Sequence, residues 1–283
     1  MLFDSHVAFI GGGVMGEAMI KSLLRSGTLR PEQITLSEPN TDRRSLVSDQ
    51  YHVHAYADNA SCARHADVVV LAVKPQVMDR VLEDLRGAIR PNALIFSIAA
   101  GISIDTLREG LGGHEYIVRV MPNTPAQIGQ GISVWTCTDA VTDVQREQAI
   151  QILKAMGDEV FVEDEQYLDM ATALSGTGPA YVFLFMEALI DAGVHMGFSR
   201  PIAERLVIQT IRGSIEYAAA SKLHAAQLRN QVTSPGGTTA AALYQLEKGA
   251  FRTVISKAVW AAYERSLQLG RKKEDARRRT QDA

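Results

Sequence analysis

Seven short runs rich in β-branched residues, at 7–10, 34–36, 68–73, 94–98, 117–120, 132–135 and 160–162, alternate with stretches of helical length through the first half of the chain. Alternation of this kind folds into βαβ units around a mostly parallel sheet. Positions 68–73 read VVVLAV, apolar at successive positions instead of every second one. A strand of that composition is covered on both faces, so helices are expected on both sides of the sheet. The pattern ends at the acidic run Glu163-Asp164-Glu165. Beyond it only helical segments are read, punctuated by SGTGP (175–179), GFSRP (197–201), TSPGGTT (233–239) and Lys248-Gly249. The expected fold class is α/β: a doubly wound sheet over residues 1–164, then an all-α domain over 165–270 and a basic tail over 271–283. The length of 283 residues agrees, at roughly 150 per domain.

Composition narrows the class of protein. Hydrophobic residues make up 46% and charged residues 22%, the balance of a globular chain in water. The apolar stretches are interrupted before the roughly 18 residues a membrane helix needs, so no span is expected. Asp4 stands ahead of the first apolar run and no basic n-region precedes it, so no secretory signal is read and the expected location is cytoplasmic. Net charge is −3, with basic residues concentrated in 271–283. The remaining body is more acidic still and offers nothing to attract a nucleic acid. The tail, RKKEDARRR, mixes both signs and reads as a solvated end and not as a polyanion-binding arm. Cys62 and Cys137 lack CxxC or histidine spacing, so they read as reduced core thiols with neither a disulfide framework nor a metal site. Residues 181–190, YVFLFMEALI, are apolar nearly all round. A helix like that must be covered on most sides, which a homodimer through the helical half would achieve.

Gly11, Gly13 and Gly16 fit GxGxxG where the first strand passes into a helix. In that setting Gly11 permits the tight turn, Gly13 lets the backbone approach a pyrophosphate, and Gly16 allows close packing of helix on strand. The helix N-terminus, with Val14 and Met15 in its first turn, attracts the phosphate charge. The sheet is therefore expected to be of Rossmann type and to bind a nicotinamide dinucleotide. The second strand ends in Leu36-Ser37-Glu38-Pro39-Asn40. Glu38 lies near the spacing at which an acid accepts the 2′-hydroxyl of NAD. Ser37, with Arg43 and Arg44 close by, equally suits the 2′-phosphate of NADP. Further contacts are expected from Asn59, from Ala72-Val73-Lys74-Pro75 after the strand at 68–73, and from Asn123 in the stiff MPNTP loop (121–125), because ligands lie beyond the carboxyl ends of the strands.

These loops, together with LSGTGPAYVF (174–183) and QVTSPGGTTAAAL (231–243), resemble the pyrroline-5-carboxylate reductase family along essentially the whole chain. The resemblance implies a Rossmann domain followed by a helical domain that interlocks with its twin. It also implies NAD(P)H-dependent reduction of 1-pyrroline-5-carboxylate to L-proline, with NADPH favoured and NADH possible. By resemblance, Ser234, Gly237 and Thr239 match the family's substrate loop. The residues themselves suit a small anionic imine. Ser234 offers a hydroxyl, and Gly236 and Gly237 expose backbone N–H groups before a helix expected to begin near Thr238. Gly237 and Thr238 would donate to the carboxylate, and the Thr239 hydroxyl would reach the ring nitrogen as the catalytic contact. Gly176 and Gly178 would let the chain pass close to nicotinamide or substrate. No strong general acid stands in these loops, and a cyclic imine basic enough to be protonated does not need one. His195 is read as structural, and Trp135 and Trp260 as core. A β-hydroxyacid dehydrogenase also begins GxGxMG, but it uses a lysine after a Gly-rich turn, and 175–200 holds neither lysine nor asparagine. A dinucleotide-binding regulator without catalysis would need no second anion site.

Overall fold

The computed structural model describes residues 2–281, with side chains described as far as Gly270 apart from that of Phe3. Among these, eight strands form one sheet: β1 (Val7–Ile10), β2 (Ile34–Ser37), β3 (His54–Tyr56), β4 (Val68–Leu71), β5 (Leu94–Ser97), β6 (Ile117–Met121), β7 (Gly131–Cys137) and β8 (Gly157–Phe161). Their order is β3-β2-β1-β4-β5-β6-β7-β8. The first six pair in parallel, β7 runs antiparallel to β6, and β8 runs parallel to β7. This is a Rossmann-type sheet extended at one edge. Seven of the strands fall on the runs expected from sequence. The eighth, β3, is a three-residue edge strand reading His-Ala-Tyr and largely exposed, so it carries no apolar run to announce it.

Helices α1 (Val14–Arg25), α2 (Thr41–Tyr51), α3 (Asn59–Ala63), α4 (Met78–Leu85), α5 (Ile104–Gly110) and α6 (Asp143–Met156) connect these strands. The near-continuous apolar runs of β1, β4 and β5 separate by pleat. Val7, Phe9, Val68, Val70, Leu94 and Phe96 pack with Met19, Ile20 and Leu23 of α1 and with Ile152 and Leu153 of α6. Ala8, Ile10, Val69, Leu71 and Ile95 face the other way, onto Cys62 and Ala63 of α3 and Met78, Val81, Leu82 and Leu85 of α4. Successive strand side chains point to opposite faces, so a strand covered on both sides is apolar throughout. Helix starts are set by local polar caps: the side chains of Asn40, Asp58, Ser103 and Thr142 accept a backbone N–H three residues on.

Beyond the sheet lie α7 (Tyr167–Ala171), a π turn over Thr172–Gly176, α8 (Gly178–His195), α9 (Arg200–Ser221), α10 (Ala225–Gln231), α11 (Thr238–Lys248) and α12 (Phe251–Gln281). The chain divides into two compact units. One contains everything up to Thr177 together with the chain from Ala262 onward; the other is Gly178–Ala261. The side chains of the basic stretch expected as a tail lie outside the described residues.

In the single chain α8 is largely exposed, with Phe183 61% and Leu184 67% accessible. Trp135 is buried, as expected, but Trp260 is 62% accessible and is not a core residue of the single chain. His195 is likewise exposed. The helical stretch Tyr167–His195 is long and apolar enough by length and composition to cross a membrane, an 18-residue window within it reaching a mean hydropathy of 1.4. This corrects the expectation that no stretch would qualify: Asp169, Glu187, Asp191 and three glycines break the runs and still leave the average high. Cys62 and Cys137 are free thiols, Cys62 buried and Cys137 only partly so. Burial pushes the Cys62 thiol up to about 12.

Candidate functional site

The carboxyl ends of β1 and β4 lie side by side at the place where strand order reverses, the position at which open α/β sheets bind ligands. Gly11 leaves β1 with φ +105°, and a Cβ there would stand 2.8 Å from the carbonyl oxygen of Ala72. Only glycine fits that turn. Gly16 is constrained by packing, because its Cβ would meet the Gly11 carbonyl at 2.2 Å. Gly13 caps α1 without a side-chain cap bond, and a Cβ on it would meet nothing within 4 Å. The open space over Gly13 and the uncapped first turn of α1 are what a pyrophosphate requires, so the residues present fit a dinucleotide.

A cleft of about 630 Å³ opens here. Gly11, Gly13, Ser37, Glu38 and Asn59 line it from one side and Ala72, Val73 and Lys74 from the other. Val14 lines a neighbouring hollow with Gly13, Glu17 and Arg43. Met15 packs against the core instead, and Gly16 is buried under the turn. Pro75 opens a 3₁₀ turn after Lys74. Asn123 lies outside the cleft lining, and its Oδ1 accepts the N–H of Ile132 at 3.0 Å, tying the MPNTP loop to β7.

The end of the cleft at Glu38 is a hydrogen-bonded frame. The Glu38 carboxylate accepts the N–H of Gly12 at 3.0 Å and that of Asn40 at 3.0 Å. The Arg43 Nε donates to the Gly12 carbonyl at 2.6 Å, and the same guanidinium pairs with Glu17. The Tyr51 hydroxyl donates to the other oxygen of Glu17 at 2.9 Å. Burial would raise the Glu17 carboxyl, but the bonds from Arg43 and Tyr51 outweigh it and hold the group below its ordinary value. Burial and the Glu17 bond push the Tyr51 phenol up to about 12. Arg44 closes its own loop onto the Glu38 carbonyl at 2.8 Å. The Ser37 hydroxyl donates to Asn59 Oδ1 at 2.7 Å, and Asn59 Nδ2 donates to Asp84 at 2.9 Å. Sequence reading missed the face of α4 that closes the cleft, where Arg80, Val81 and Asp84 follow Val77. Their helical spacing was legible; that this face lines a cleft was not, because nothing local distinguishes it from a solvated face.

In the helical unit, the TSPGGTT segment is a turn feeding α11. Gly236 takes φ +70°, and the Gly237 N–H donates to the Ser234 carbonyl at 3.1 Å. A Cβ on Gly237 would stand 2.5 Å from the Ser234 Oγ, so glycine lets that hydroxyl lie over the helix start. Gly237 caps α11 with no side-chain bond, and α11 begins at Thr238 as expected. The turn thereby keeps the backbone donors of the first helical turn clear for an anion. Ser234 and Thr238 are exposed and Thr239 is half-buried. In the π turn, a Cβ on Gly176 would meet Met121 Cε at 2.6 Å, so that glycine accommodates the end of β6.

Comparison with known proteins bears on both units. A family profile described as pyrroline-5-carboxylate reductase dimerisation matches residues 165–269. Another, described as NADP oxidoreductase, coenzyme F420-dependent, matches residues 6–101. Pyrroline-5-carboxylate reductase of Synechocystis is 45% identical over 268 residues, covering 94% of this chain and 99% of its own. That of Pseudomonas aeruginosa is 42% identical, with coverages of 93% and 96%. The crystal structure of the Plasmodium falciparum pyrroline carboxylate reductase with NADP bound superposes with a TM-score of 0.87 at 36% identity, over 94% of this chain and 98% of that one. With identity this high over nearly the full length of both proteins, the chain belongs to the pyrroline-5-carboxylate reductase family.

Proposed function

We propose that this chain reduces 1-pyrroline-5-carboxylate to L-proline, the last step of proline biosynthesis, using NADPH and accepting NADH. The observation that carries the reading is the near full-length identity to reductases of that name, joined to two sites of the right chemistry on the same chain. The cleft at Gly11 and Gly13 would hold the dinucleotide, with Lys74 and the α1 N-terminus serving its phosphates and Ser37, Glu38 and Asn59 its ribose end. Bound there, the nicotinamide supplies the hydride.

The substrate is a small anion bearing a basic imine. The backbone N–H groups at the start of α11, with Ser234, Gly236, Gly237 and Thr238 around them, would take its carboxylate. The Thr239 hydroxyl would donate to the ring nitrogen, a bond that strengthens as the imine becomes an amine. Because the imine can arrive protonated, the chain needs to supply orientation more than a proton.

The helical unit would pair with that of a second copy, covering the apolar surface of α8; a homodimer, or a larger assembly built from dimers, is part of the proposal. So is a cytoplasmic location. Steady-state assays with pyrroline-5-carboxylate and each dinucleotide test the reading. Oxidation of NADPH with stoichiometric proline is the expected result, and turnover of short-chain hydroxy- or ketoacids in its place would favour a hydroxyacid dehydrogenase.

A further inference from the structure

The hydrogen bonds from Ser37 through Asn59 to Asp84 have only one possible direction. An ionised carboxylate accepts and cannot donate, so the Asn59 amide must turn its NH₂ end to Asp84, as the 2.9 Å contact from Nδ2 has it. Its oxygen then faces Ser37. An amide oxygen cannot donate either, so the single proton of the Ser37 hydroxyl is committed to Asn59 at 2.7 Å. What Ser37 can offer the cleft is its lone pairs. Glu38, beside it, is also an acceptor, and its two oxygens are held by the N–H groups of Gly12 and Asn40.

We propose that Asp84 is a positioning residue for cofactor choice: through Asn59 it keeps the Ser37 proton engaged with the Asn59 oxygen and so weakens binding of NADPH relative to NADH. The inference rests on the dinucleotide reading above. A ribose 2′-hydroxyl has a proton to give to these acceptors. A 2′-phosphate dianion has none, so to bind it Ser37 must turn its proton around and surrender the bond to Asn59. An amide at position 84 can itself donate, which allows Asn59 to rotate and frees the Ser37 proton for the phosphate.

Calorimetric binding of adenosine 2′,5′-bisphosphate and of ADP reads this without turnover. Asp84→Asn should shift the affinity ratio toward the bisphosphate by about three- to tenfold, the scale of one hydrogen bond. Loss of a negative charge near the phosphate is the competing cause, and Asp58→Asn controls for it. Asp58 lines the same cleft but caps α3 through the Ser61 N–H at 2.7 Å, outside the relay, and asparagine caps equally well. The relay predicts little shift in Asp58→Asn, and it predicts that adding Ser37→Ala to Asp84→Asn abolishes the shift. An unchanged ratio in Asp84→Asn, an equal shift in Asp58→Asn, or a shift that survives Ser37→Ala would overturn the proposal. Turnover of pyrroline-5-carboxylate by the unaltered protein is measured separately. Its absence alongside the predicted binding shifts would remove the proposed function and leave this inference standing.

Discussion

At the scale of single residues, the roles proposed for Ser234 and Thr239 differ, and the two should fail differently. A contact to the carboxylate is made in both ground and transition states, so Ser234→Ala should act chiefly on KM. Thr239→Ala should lower kcat by about ten- to a hundredfold with a smaller change in KM. If Thr239 merely begins α11, the same variant will lose thermal stability and keep its kcat, so melting and kinetics are measured on one preparation. Histidines give a second residue-scale test. Burial lowers the imidazoles of His6 and His114 from 6.5 in spite of the carboxylates of Asp67 and Glu115 nearby. Below about pH 6.5 the unfolded chain therefore binds more protons than the folded one, and stability falls with pH until the lowered native values are passed. Melting temperature should decline over that window, and His114→Gln should make the decline shallower; an unaltered slope would show that His114 contributes nothing to it.

At the scale of elements, the glycine-rich turn separates two physical requirements that GxGxxG lumps together. Gly16→Ala drives a methyl into the Gly11 carbonyl at 2.2 Å, backbone against backbone, and should cost about 1–3 kcal/mol of stability as well as nucleotide binding. Gly13→Ala meets only open space. It should melt near the wild-type temperature yet lose affinity for either dinucleotide by tenfold or more, about 1.4 kcal/mol, because the methyl fills the volume proposed for the pyrophosphate. Equal melting losses in both variants would contradict this division. Most of the sheet was legible because doubly covered strands such as 68–71 are continuous apolar runs. The short exposed β3 was not, nor was the antiparallel turn-back of β7, whose β-branched run carries no mark of direction. That the glycines and Ser37-Glu38 meet at one cleft was readable from their spacing. The ties that hold them, from Arg43 to the Gly12 carbonyl and from Asp84 to Asn59, span 31 and 25 residues and follow only from the packed fold.

For the whole molecule, the accessible side chains of α8 are the surface a lone chain cannot keep in water. A patch of this kind marks an interface, and the dimerisation profile over 165–269 says what sort of interface the family builds there. Phe185→Glu should leave aggregated or unfolded protein, because a charge would be buried unpaired at the contact. Sedimentation of the unaltered protein as a folded, active monomer at assay concentration would argue against pairing through this unit. The chemistry is read out in one assay: 1-pyrroline-5-carboxylate is added to the purified protein with NADPH, and both cofactor oxidation and product are followed. One proline should form for each NADPH consumed. No consumption with this imine, from a folded protein that binds NADPH, would contradict the proposed function.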